Sequence, residues 1–105
     1  VNGIIYLSGE IGTLPNNKVI DGGIVPETIQ ALSNISNKLE RMGSSIDNVF
    51  KCTCMLADIM DWPKMSKAYK TFFKKEKFPS RSAFAGSGLA LNAKIEIECM
   101  ATLKQ

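Results

Sequence analysis

Arg81 is one of only two arginines in the 105-residue sequence, and it opens a stretch with few other charges, Arg81-Ser82-Ala83-Phe84-Ala85-Gly86. A guanidinium fork suits a carboxylate or phosphate because it can donate two parallel charge-assisted hydrogen bonds. The competing assignment is a strand-end arginine paired with a surface acid. Arg41 falls in the last turn of a predicted helix, where a cation complements the helix dipole, and reads as structural. Glu96 and Glu98 stand two apart on a predicted strand, so they share a face with Cα atoms about 6.6 Å apart. Paired carboxylates can do acid–base work when burial or a like charge raises one pKa. The same spacing also describes the wet side of a half-buried strand. If strands 80–86 and 94–104 are antiparallel neighbours, Arg81 and Glu96 face each other.

Histidine is absent. That removes Ser-His-Asp and Cys-His nucleophiles, His-ligated zinc and the commonest general base. The three cysteines, Cys52, Cys54 and Cys99, are odd in number and lack Cys-x-x-Cys spacing, which argues against a disulfide framework, a zinc ribbon and a thioredoxin motif. They read as small buried hydrophobes in a reducing, intracellular compartment. Gly86-Ser87-Gly88 lacks the spacing of a phosphate-binding loop and reads as a turn. Lys64, Lys67, Lys70 and Lys74 read as a solvated helix face, and a net charge of +3 does not by itself imply nucleic acid. No apolar run reaches the roughly 18–20 residues that span a bilayer, and no signal-peptide pattern opens the chain.

The elements that must position these groups follow from periodicity and turn chemistry. A hydrophobic fraction of 45% and a charged fraction of 22% describe one globular domain, residues 1–105. The chain begins at Val1 without methionine, so a short N-terminal segment is expected to be missing. Residues 3–8 read as a strand, Pro15-Asn16-Asn17 as a turn and Lys18-Val19-Ile20 as the returning strand, making 3–21 a hairpin. Pro26 and Glu27 open a helix whose apolar stripe is Ile29, Leu32, Ile35, Leu39 and Met42, with Gly43 as the stop. Residues 49–57 predict a strand with Phe50, Cys52, Cys54 and Leu56 on one face. Asp61 predicts the N-cap of a second helix with a buried stripe of Trp62, Met65, Tyr69, Phe72 and Phe73. In the last strand, Lys94 to Lys104, residues Ile95, Ile97, Cys99, Ala101 and Leu103 alternate with polar neighbours. The order β-β-α-β-α-β-β predicts an α+β fold, two helices on one face of a single mixed sheet. The other face lacks a covering layer and predicts self-association.

Phe78-Pro79-Ser80-Arg81-Ser82, followed by Lys94-Ile95-Glu96-Ile97-Glu98-Cys99-Met100-Ala101, resembles the C-terminal signature of the YjgF/RidA family. Leu7-Ser8-Gly9-Glu10-Ile11, Gln30-Ala31-Leu32-Ser33-Asn34-Ile35, Asp47-Asn48-Val49-Phe50-Lys51-Cys52-Thr53 and Tyr69-Lys70-Thr71-Phe72-Phe73 match further family segments in the right order. The resemblance covers nearly the whole chain.

The resemblance implies a chorismate-mutase-like fold, a homotrimer with sites in the clefts between subunits, and hydrolysis of reactive 2-imino acids to 2-keto acids and ammonia without a cofactor or metal. It implies that Arg81 holds the substrate carboxylate and that Glu96 positions or deprotonates the attacking water. Ser8 and Gly9 match pocket-lining positions. Ala83 stands where the family often has cysteine, and Ser66 where many members have asparagine. The resemblance implies a small-molecule 2-imino acid partner; the cysteines, charge and hydropathy predict a cytoplasmic setting (mitochondrial if a leader precedes Val1), no membrane partner and little support for nucleic acid. Two alternatives remain open: an RNA-directed activity, endoribonuclease or translation inhibitor, and a non-enzymatic trimeric ligand-binding or chaperone-like module.

Overall fold

The computed structural model describes residues 2–103. Its elements run β1 (Ile4–Tyr6), β2 (Glu10–Ile11), α1 (Ile24–Arg41), β3 (Val49–Leu56), α2 (Trp62–Phe72), β4 (Ser80–Ala85) and β5 (Ile95–Thr102). The predicted α+β order is therefore present, and α1 and α2 share one core with a five-stranded mixed sheet. Leu32, Ile35 and Leu39 of α1 and Met65 and Tyr69 of α2 are buried on Cys52, Cys54 and Leu56 of β3 and on Ile95, Ile97, Cys99 and Ala101 of β5. A 3.6-residue period on the helices and a 2-residue period on β5 bring these side chains to one layer. Gly43, at φ +82°, ends α1 in the left-handed region that glycine enters without steric cost. The ends of two predicted stripes escape burial, since Met42 and Trp62 are exposed.

Strand pairing departs from expectation. The sheet order is β1-β5-β3-β4, with β2 also on β5. Residues 3–21 do not form one hairpin: Ile4 lies opposite Thr102, Tyr6 opposite Met100 and Glu10 opposite Ile97, so β1 and β2 both run along β5. One edge of the eight-residue β5 supplies backbone partners for both short strands. Pro15-Asn16-Asn17 closes a smaller loop in which Thr13 bridges Val19. Asn34 Nδ2 fastens that loop to α1 by donating to the carbonyls of Ile11 (3.3 Å) and Thr13 (2.9 Å). The last strand ends at Thr102; its predicted end at Lys104 lies outside the described residues.

Three further corrections have local causes. Val49 pairs with Ala101 and Lys51 with Met100, so Phe50 is the extra residue of a β-bulge. The bulge turns Phe50 outward and puts Val49 on the core face with Cys52 and Cys54. Asp61 makes no side-chain cap; Asp58 Oδ1, one turn earlier, accepts from the Met60 N–H at 2.9 Å. Cys52 and Cys99 are joined as a disulfide, contrary to the expectation of free thiols, while Cys54 is free and buried. The antiparallel register puts Cys52 directly opposite Cys99, with Cα atoms 4.2 Å apart, a proximity invisible in spacing along the chain.

Candidate functional site

β4 pairs in parallel with β3, and β3 pairs antiparallel with β5, so a whole strand separates Arg81 from Glu96. The register also separates them by face. Arg81 stands beside Cys52, on the side covered by the helices, and Glu96 stands beside Met55, on the side that no helix covers. The two residues therefore do not face each other within one chain. The parallel β3–α2–β4 crossover brings the first helical turns of α2 over Arg81 instead.

The helix-side cluster contains Arg81, Ser66 and Ala83. Arg81 Nη2 donates to Ser66 Oγ at 3.2 Å. Its guanidinium carbon lies 4.8 Å from the centroid of the Tyr69 ring, within cation–π range. Its Nη1 is buried without a hydrogen-bond partner, as is the Tyr69 hydroxyl. Arg81 makes no ion pair among the described residues, which sets aside the surface-acid assignment. Ala83 lies two residues on, opposite Cys54 and packed against the core. Burial pushes the Cys54 thiol up to about 11, and the Arg81 charge partly opposes that rise. Burial also raises the Tyr69 phenol; Cys54 adds to the shift and Arg81 again opposes it. Both groups are therefore neutral at physiological pH, which leaves the guanidinium as the charge of the cluster.

The open-face cluster contains Gly9 and Glu96, whereas exposed Ser8 lines a separate surface cavity with Lys38, Arg41 and Met42 at the end of α1. A Cβ on residue 9 would land on the Glu96 carboxylate, 2.8 Å from its Cδ, so the absence of a side chain at Gly9 gives Glu96 its space. Glu96 has no hydrogen bond or ion pair among the described residues. Its surroundings are held from α1. Glu10 pairs with Lys38, and Glu27 Oε1 accepts from the Lys94 N–H at 2.7 Å, just before β5 begins. Glu98 shares the face of Glu96 but is exposed, lining a small cavity with Tyr6, Lys51, Thr53 and Met100.

Tyr69 is the residue that sequence reasoning underestimated. Its helical spacing assigns it to the core, where it is, and nothing local indicates that its outer ring face meets Arg81. A groove of about 600 Å³ on the outside of α2, lined by Trp62, Pro63, Ser66, Lys67, Lys70 and Thr71, shares only Ser66 with this cluster. Among the described residues no group of three or more Cys, Asp or Glu side chains is arranged to hold a metal ion. No helix among them is long and apolar enough to cross a membrane.

Fold and site together define a small α+β domain with, among the described residues, a guanidinium without an ion pair on one sheet face and a carboxylate without one on the other. Residues 1–103 match the family described as Endoribonuclease L-PSP, and the chain belongs to that family, the YjgF/RidA family. It is 39% identical over 102 residues to the 2-iminobutanoate/2-iminopropanoate deaminase of Homo sapiens, covering 96% of this chain and 74% of the relative. The crystal structure of yeast YEO7 is similar with a TM-score of 0.92 at 36% identity, over 97% of this chain and 81% of that one. E. coli TdcF with bound serine has a TM-score of 0.88 at 25% identity, over 97% and 82%.

Proposed function

We propose that this protein hydrolyses 2-imino acids to 2-keto acids and ammonia, with Arg81 holding the substrate carboxylate and Glu96 positioning the water. The observation that carries this reading is the Arg81 guanidinium, half-buried, with no acid partner among the described residues and with one nitrogen unsatisfied. An unsatisfied buried donor costs about 1–3 kcal/mol, more when charged, so the guanidinium is held without the partner its charge calls for. Similarity to proteins named as imine deaminases supplies the reaction class.

The chemistry asks little of the protein. The carbon of a protonated imine is already electrophilic, so fixing the carboxylate and a water supplies mostly orientation. Water adds to that carbon as Glu96 takes a proton from it. Glu96 returns the proton to nitrogen, the C–N bond breaks, and loss of the hydroxyl proton leaves the keto acid and ammonium. Because Arg81 and Glu96 lie on opposite faces of one sheet, the complete site on this reading joins the Arg81 face of one subunit to the Glu96 face of another, in a homotrimer. The uncovered sheet face and the edge strand β4, with Phe84 half exposed, support that assembly.

An amino-acid oxidase generating 2-imino acids in the presence of semicarbazide tests the proposal, since the protein must outcompete the trap. Wild type is expected to divert imine to keto acid, Arg81→Ala and Glu96→Gln to fail while remaining assembled, and Arg81→Lys to lose most activity because a point charge lacks the fork. Wild-type turnover in Arg81→Lys would remove the bidentate clamp. A second reading, RNA binding, draws on six lysines between residues 62 and 77 and on Trp62, 38% exposed among them. Steep salt dependence of RNA binding, lost in a Lys67/Lys70/Lys74 alanine variant, would favour it.

A further inference from the structure

We infer that Tyr69 is a positioning residue for the carboxylate clamp, acting through its ring face and not through its hydroxyl. The inference rests on Arg81 holding a carboxylate. Ser66 and Tyr69 are three residues apart on α2 and so project from one side of the helix. One takes a hydrogen bond from Nη2, and the ring of the other lies under the guanidinium carbon, 4.8 Å from it to the ring centroid. The ring fixes the tilt of the guanidinium; Ser66 fixes its rotation within that tilt. The ring is itself immobilised. It is 3% exposed, and Phe73, one turn further along, packs on it with centroids 4.8 Å apart, backed in turn by Phe72 at 6.1 Å.

An arginine left free carries rotamer entropy that ligand binding would have to overcome. The ring and Ser66 impose most of that ordering before the ligand arrives, which favours carboxylate capture. The hydroxyl has no part in this. It is buried, neutral and without a partner, so removing it leaves the stacking face intact.

The test compares Tyr69→Phe, Tyr69→Leu and Ser66→Ala on a 2-imino acid and on an imine lacking the carboxylate. A titration with 2-oxobutanoate and the ring-current shift of the Arg81 side-chain protons by NMR complete the set. Tyr69→Phe is expected to keep KM, kcat and the ring-current shift. Tyr69→Leu is expected to raise KM for the 2-imino acid about tenfold with little change in kcat, to weaken 2-oxobutanoate similarly, and to lose the shift. Its turnover of the carboxylate-free imine should match wild type. Equal losses of Tyr69→Leu on both imines would reduce Tyr69 to a core residue, and a Tyr69→Phe loss as large as that of Tyr69→Leu would move the role to the hydroxyl. Wild-type KM in Tyr69→Leu overturns the inference. If wild type hydrolyses no imine, the reaction assignment fails instead, and the 2-oxobutanoate titration with the NMR shift still decides whether Tyr69 sets the clamp.

Discussion

Gly9 and Glu96 meet so closely that a single methyl group on residue 9 would displace the carboxylate. Gly9→Ala is therefore expected to fold normally by circular dichroism while turnover of a 2-imino acid falls about a hundredfold, the scale of cost for a catalytic group moved by about 1 Å. Undiminished turnover would detach Glu96 from the reaction. Cys54 makes a different residue-scale prediction. Its folded pKa, about 11, lies above its ordinary value of 9.0, so between those pH values the unfolded chain has lost a proton that the folded chain retains. Stability is thus full below pH 9 and falls as pH rises, by up to about 1.4 kcal/mol per unit. Urea denaturation at pH 8 and pH 10 should show this decline in wild type, and a smaller one in Cys54→Val.

At the scale of elements, α1 is the brace for the open-face cluster. Asn34 holds the loop after β2, Lys38 holds Glu10, and Glu27 caps the Lys94 N–H ahead of β5. Sequence reading gives Glu27 only a favourable place near the positive end of the helix dipole. In the structure it is buried and reaches 67 residues along the chain. Glu27→Ala should lower unfolding free energy by about 2 kcal/mol, because it removes a charge-assisted hydrogen bond and strands the Lys94 donor. Guanidinium denaturation measures the change. Glu27→Gln, which retains an acceptor, should lose less; equal loss in both variants would mean that the charge, and not the acceptor, does the work.

For the whole molecule, the separation of Arg81 and Glu96 across the sheet makes assembly part of the proposed site. Complementation tests this directly. Arg81→Ala and Glu96→Gln protomers are each expected to be inactive, but unfolding and refolding them together mixes the subunits. If each site takes its arginine from one subunit and its glutamate from the next, about a quarter of the sites in a random 1:1 mixture have both residues intact. Activity should rise to about that fraction of wild type. A mixture as inactive as its components would confine each site to one chain.

Both helices, strands β3 to β5, most of the core stripes and the residues most able to do chemistry were legible in the amino-acid order, whereas β2 was not. Each of these depends on side-chain periodicity or on residue type over a few positions: the Leu32–Ile35–Leu39 stripe, the alternation of Ile95, Ile97 and Cys99, the isolation of Arg81 from other charges. Strand partners were beyond its reach. Residues 18–20 read as the partner of 3–8, and 80–86 as a neighbour of 94–104, because backbone hydrogen bonds carry no address that would name the true partners. The bulge at Phe50 reversed a face, the register joined Cys52 to Cys99, and the crossover put Tyr69 under Arg81. All three are long-range geometric outcomes of packing one layer of helices on one sheet. The tertiary structure alone decided that the arginine and glutamate lie on opposite faces, because a strand's two-residue period assigns a side chain to a face only after its partner and register are set.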